Sequence, residues 1–383
     1  MTDLKLTEQE IRQNVVDDRK KQLLSKFDKG SGQGILPFTN ERLFEQSNPI
    51  LRSALFTAGK IMSDRVYYND WTEIFSLGSG SILYKGPSLT VDHENVLVRI
   101  MALARGKSVT KPIHAFQADV LRWLDLDINS GHNYEKARKI LDDLATAELR
   151  ISSKPALQRI LSILTSPAIT ERPDGQFFKD YIDNRYKGHL KMIAEGLEND
   201  QPVNITMKFL TSQTHNSVTK KMMLSLDPIC AVFFDGVNTT LLPFEIMDQL
   251  DRFGRKLLPF IASHRDGVFA IRLKNYHEFS GSKSDFKVVG RRFKSDLKRR
   301  FTGWQEKGWI NSGWTIEKNN EGDEIVSGLK LHSSVRLKSN LEMPVSLMEE
   351  DWARGSDEAM ESRFQEFKEN FEKPRSSTQK KSI

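Results

Sequence analysis

The clearest periodic signal in the chain lies between about 285 and 303. Phe286, Val289, Phe293, Leu297 and Trp304 fall on one face at roughly 100° per residue. Lys287, Arg291, Lys294 and Lys298 form a stripe opposite, flanked by Arg292 and Arg299. The pattern predicts a helix docked by its apolar face with a basic face left free. Upstream, 268–273 reads as a strand and 275–279 as a short helix, followed by the turn Ser280-Gly281-Ser282. Downstream, 309–317 and 325–331 read as a hairpin around Asn319-Asn320-Glu321-Gly322. Helix, tight turn, helix and hairpin is the outline of a winged helix-turn-helix. Met247, Leu250, Leu257, Leu258 and Ile261 suit one further helix, which Gly254 and Pro259 should weaken or kink.

A second, weaker outline precedes it. Ile82-Leu83-Tyr84 and Ser88 to Val91 read as strands across Gly86-Pro87, and Val96, Ile100, Met101 and Leu103 carry helical periodicity. A short helix at 118–124 and the turn Asn129-Ser130-Gly131 lead to a longer helix at about 134–147, patterned by Ala137, Leu141 and Leu144. A strand at 149–151 follows. Pro155, Pro167 and Pro173 then break up 152–202, although 177–197 suits a helix; strand-like sequence returns at 203–209 and 221–226. Near the start, Thr7 to Glu10 resembles a capping box, and Gly30-Ser31-Gly32-Gln33-Gly34 reads as a linker.

The expected fold is therefore α+β, with tandem winged helix-turn-helix domains, a flexible N-terminal region and a helical insertion. The expected boundaries are 1–51 for the flexible region, 52–151 for the first domain and 152–202 for the insertion. The second domain takes 203–335 and a charged tail 336–383.

Charge sharpens this picture once it is divided along the chain. The 383 residues hold 57 Lys and Arg against 51 Asp and Glu, a net +6. Residues 349–372 are strongly acidic, whereas Lys287 to Arg300 holds seven cations against the single acid Asp296. A cluster of that kind on a helix is a candidate nucleic-acid footprint, and a solvated face is the ordinary alternative. The 134–147 helix is weaker, because Asp142, Asp143 and Glu148 offset its basic half.

Catalytic chemistry finds little support. Gly281-Ser282-Lys283-Ser284 lacks the glycines of a phosphate-binding loop, and the eight histidines show no metal-ligand spacing. A histidine pair suited to DNA nicking is also missing. His264-Arg265-Asp266 reads as a helix-end cluster, and the single cysteine, Cys230, as a small hydrophobe in an apolar run. The expectation is a non-enzyme with no cofactor and no metal. Without a signal-like start or a long apolar run, the expected location is the cytoplasm, with no membrane partner.

Several segments resemble one family. Arg52-Ser53-Ala54-Leu55-Phe56-Thr57 looks like the opening signature of TrfA-type plasmid replication initiators. Tyr84-x-Gly86-x-x-Leu89 with Asp92, then Tyr134-x-Lys136-Ala137 and Leu144, is similar to the next segments of that family. So are Leu226-Asp227, Phe233-Phe234, Ser263-His264-Arg265 and the stretch from Tyr276 to Ser282 with its basic helix. The resemblance covers roughly 52–151 and 205–332. It implies binding to iterons, the repeated sites of a plasmid origin, opening of an adjacent AT-rich segment, and recruitment of host DnaA and the replicative helicase. It also implies a β-sliding-clamp peptide upstream, for which Gln33, Leu36 and Phe38 are the matching residues. The insertion and Pro259 depart from the family pattern.

The DNA-binding candidates are Lys287, Arg291, Arg292, Lys294, Lys298 and Arg299 in the second domain. In the first they are Asn133, Tyr134, Lys136, Arg138 and Lys139. The reading is an initiator that binds double-stranded origin DNA, with a homodimer among its partners. A winged-helix transcriptional repressor of plasmid or phage origin is the alternative.

Overall fold

The apolar stripe at 286–304 is met by a real core, which organises the second half of the chain. The computed structural model describes residues 43–60, 66–77, 82–104, 112–152, 175–218, 220–227 and 239–335, with isolated positions at 154–161 and 229. The candidate clamp peptide, the capping-box pattern at Thr7, Cys230 and the charged tail lie outside the described residues. The fold is mixed α and β. Contacts divide it into two units, one comprising 1–28, 154–203 and 340–383, the other 29–153 and 204–339.

The larger unit contains the same succession of elements twice. The first begins with β1 (Leu43–Ser47) and α1 (Asn48–Leu51) and resumes at α2 (Val91–Ala104). It continues through β6 (Ile113–Phe116), α3 (Gln117–Trp123) and α4 (Gly131–Thr146), and finishes with β9 (Leu210–His215) and β10 (Lys221–Leu226). The second runs β11 (Thr239–Pro243), α6 (Phe244–Met247), α7 (Arg252–Ala262), β12 (Ile271–Arg272), α8 (Leu273–Phe279), α9 (Phe286–Glu306), β13 (Thr315–Lys318) and β14 (Glu324–Ser327). Each copy closes a three-stranded sheet in the same order, β6-β10-β9 and β12-β14-β13. The leading strands of the two copies, β1 and β11, pair antiparallel, with Leu43 opposite Pro243 and Ser47 opposite Thr239.

The hairpin of the first copy is displaced from where its sequence suggests. The strand at 149–151 belongs to β7 (Glu148–Ile151), which pairs antiparallel with β4 (Ile82–Pro87) on one side and β8 (Ile205–Lys208) on the other. With β3 (Tyr67–Ile74) these make a separate four-stranded sheet. The strands at 205–226, placed by sequence in the second domain, thus pair with the first copy. Backbone pairing to β6 and β7 decides the matter, and no periodicity along the chain reports it.

Three further differences are local. The helix expected from Met247 to Ile261 is two, because Asp251 caps α7 by accepting from the Gly254 amide at 2.9 Å. Pro259 lies inside α7, and the helix runs past it to Ala262. The strand expected at 268–273 is confined to Ile271 and Arg272, since Leu273 already starts α8.

The smaller unit contributes α5 (Gly175–Glu198), on which Leu190, Ile193, Ala194 and Leu197 are buried at helical spacing. Its described surface includes a Lys154–Asp200 ion pair at 3.3 Å.

Within the larger unit, the segment Arg52 to Ala58 ties the two copies together. β2 (Phe56–Thr57) pairs in parallel with β5 (Leu89–Thr90) of the first copy. Arg52 donates to the Ser263 hydroxyl and carbonyl at the end of α7, and the Ala58 amide donates to the Ser280 carbonyl at 2.9 Å. Lys256 of α7 donates to the Ser53 carbonyl and lies 4.4 Å from the Phe279 ring. Both Lys256 and Glu94 of α2 are buried. Burial pushes Glu94 up to about 7 and Lys256 down to about 8, each charge partly offsetting the other's loss of water. Nearer the surface, Arg99 clamps Asp248 at 2.8 and 2.9 Å, and Arg252 reaches Asp92 at 3.0 Å. The motif at 52–57 is a strap across this seam.

Candidate nucleic-acid interface

α9 is seated before it presents anything. Asp285 caps it, accepting from the Lys287 amide at 2.9 Å. Leu297, Phe301 and Trp304 are buried in the second-copy core, with Phe286 and Phe293 packed at its margin. Phe301, not part of the stripe read from sequence, is fully buried. The helix ends at Gly308, whose positive φ of +68° lets the Trp309 amide reach back to the Trp304 carbonyl at 2.8 Å.

The turn before α9 is equally fixed. His277 donates to or accepts from Ser284 at 3.2 Å and packs its ring against Phe286 and Phe293. Burial holds His277 below the ordinary imidazole range. Gly281 has a φ of +74°, and a Cβ there would meet the Thr57 side chain of the strap at 2.4 Å. Only glycine suits that turn.

With the helix so placed, Lys287, Arg291, Arg292, Lys298 and Arg299 are all exposed. Arg299 meets Asp296 at 2.9 Å and Arg292 approaches it at 3.9 Å. At 83% and 88% side-chain exposure, such pairs hold little in water and leave both guanidiniums accessible. Lys294 is different. Only 26% exposed, it donates to Glu324 of β14 and fastens the helix to its hairpin. Arg272 acts likewise, pairing with Glu321 at 2.7 Å and Asp323 at 3.1 Å in the hairpin turn. Arg300, the last cation of the run, turns inward to grip Asp251, the cap of α7.

The corresponding face of the first copy is mixed. Arg138 and Lys139 of α4 are exposed, whereas Tyr134 and Lys136 are half-buried. Asn133 donates its amide to the Asp127 carbonyl at 2.9 Å and braces the start of the helix. Asp142, exposed on the same helix, accepts from Gln213 of β9. The hairpin supplies what α4 lacks. Lys220 and Lys221 are exposed at its turn, with the Lys220 ammonium 6.0 Å from the Tyr134 ring. Of the sequence-derived candidates, five cations share the α9 face, and Arg138 and Lys139 share the α4 face.

No protein-family model matches the chain, and no curated protein matches it. The solved structures that resemble it include two of the same protein. One, of domain 2 and domain 3 of RctB, is 13% identical, covers 74% of this chain and 96% of its own, and has a TM-score of 0.41. The other, of RctB domains 2–3, is 13% identical, covers 72% and 94%, and has a TM-score of 0.40. A likeness at that level assigns neither family nor activity.

Sequence reasoning missed Lys220 and Lys221, which only strand pairing brings beside α4. It also passed over Val288, an exposed apolar side chain on the polar side of α9. Among the described residues no helix is long and apolar enough to cross a membrane, and no group of His, Cys, Asp and Glu is placed to hold a metal.

Proposed function

We propose that the chain is a sequence-specific double-stranded DNA-binding protein of two winged-helix modules, acting as a replication initiator at a plasmid origin. One observation carries the DNA-binding part. α9 is anchored on its apolar face and exposes five cations on the other, and a major groove about 12 Å wide admits one such helix. The arrangement β12–α8–turn–α9–β13–β14, repeated by β6–α3–turn–α4 and β9–β10, is what a pair of winged helices requires.

The initiator part rests on the resemblance to TrfA-type proteins. Residues far apart in that pattern, Arg52, Ser53, Ser263 and the turn Ser280-Gly281, converge on one seam. A shared signature built from one structural joint supports a shared architecture. On this reading the protein binds iterons, opens AT-rich DNA with binding energy, performs no catalysis itself, and passes the origin to DnaA, the helicase and the clamp.

Footprinting on the DNA flanking the gene tests the proposal. Protection of direct repeats beside an AT-rich tract, with distortion of that tract, is expected. Protection of a single promoter operator without distortion would favour a repressor.

A further inference from the structure

We propose that Val288 reads the C5-methyl group of a thymine in the major groove, and so sets sequence preference in the second module. The inference rests on the DNA-binding reading of α9 and makes it more specific.

Val288 is 81% exposed, although it belongs to a helix with an ordered apolar face elsewhere. Its position explains what surrounds it. At roughly 100° per residue, Val288 and Ser295 run along the middle of the solvent arc of α9. Lys287, Arg291 and Lys298 border them on one side, Arg292 and Arg299 on the other. Cations on both margins suit the two phosphate walls of a groove, and short side chains at the centre let the helix approach its floor.

The neighbourhood also selects the partner. An apolar protein surface would have to cover these cations and strip their water, which is costly. The thymine methyl is the apolar group that a major groove itself offers between its phosphates. Val288 lies in the first turn of α9, the end from which recognition helices reach base edges. Its amide donates to the Asp285 carbonyl at 3.0 Å, so the capped turn fixes its backbone. A β-branched side chain in a helix holds essentially one rotamer, giving a rigid pair of methyl groups.

The test uses the full chain and a duplex selected from a randomised pool. Each thymine is replaced singly by deoxyuridine, which removes the methyl and nothing else. Wild type should weaken about four-fold at one or two positions, the effect of burying one methyl group. Val288→Ala should lose a similar factor on the unmodified duplex and little more on deoxyuridine at those positions. Its thermal melt should match wild type, because the side chain fills no core. A flat deoxyuridine scan, or a Val288→Ala protein as sensitive as wild type, overturns the inference. Neutralising the five α9 cations separates the two levels. If that variant loses affinity while the scan is flat, only the role of Val288 fails. If it binds as wild type, the DNA-binding reading falls with it.

Discussion

α4 and α9 occupy the same place in the same succession of elements, yet they divide the positive charge of their modules in opposite ways. α9 keeps five exposed cations on the helix, and its hairpin is acidic and bound inward through Glu321, Asp323 and Glu324. α4 offers Arg138 and Lys139 beside Asp142, while its hairpin carries Lys220 and Lys221 outward. If the proposed DNA-binding reading holds, topology fixes where a helix would enter a groove, and side-chain pairing decides which element would hold the phosphates. The second module should depend on its helix, the first on its hairpin.

The turns give the largest contrast. Gly281→Ala should destabilise the protein by about 2–4 kcal/mol, combining a left-handed backbone with a clash against Thr57. Gly131→Ala, at the first residue of α4, meets nothing within 4 Å and should stay within about 0.5 kcal/mol. Urea unfolding of both variants measures the pair; equal losses would mean that only the topology is shared, not the asymmetry at the strap.

Next in size is the hairpin of the first module. Lys220→Gln with Lys221→Gln should reduce the magnitude of the log–log salt slope of DNA binding by about 1.8, at about 0.9 per phosphate contact. The change Lys318→Gln on β13, made as the control, should leave the slope near its wild-type value. A smaller effect is expected from Glu324→Gln, which releases Lys294 and should increase the magnitude of the slope by about 0.9. No change there would show that Lys294 stays bound to its hairpin for other reasons.

The matching helices α2 and α7 differ too, since one buries Glu94 and the other Lys256. Glu94 is raised to about 7 in the folded chain from its ordinary 4.5. Its contribution to stability is thus complete below about 4.5 and lost as pH rises through about 7. Unfolding midpoints of wild type should fall relative to Glu94→Gln over that interval. Parallel pH curves would contradict the assigned burial.

How far the sequence reached depends on the range of the interactions. Residues 273–327 were legible because a capped amphipathic helix, a glycine turn and a short hairpin are local, and Phe293, Leu297 and Trp304 repeat within one segment. The hairpin of the first module was not, because β7, α5 and β8 intervene before β9 and β10 follow and β10 pairs with β6. Such pairing depends on partners more than a hundred residues apart, as Lys221 is from Phe116. The candidate site was legible as a set of cations. Its division into outward and inward groups was not, since Glu324 and Asp251, which capture Lys294 and Arg300, are remote in sequence. The strap from Arg52 was legible only as a resemblance, and its partners explain its residues.

The central claim is that α9 enters DNA through its exposed cations. It is tested most directly by salt titration of the full chain on a selected duplex, with and without glutamine at Lys287, Arg291, Arg292, Lys298 and Arg299. The account predicts a fall of roughly 4 to 5 in the magnitude of the log–log slope, with a large loss of affinity at physiological salt. An unchanged slope and affinity would contradict it and reduce the basic face of α9 to a solvated surface.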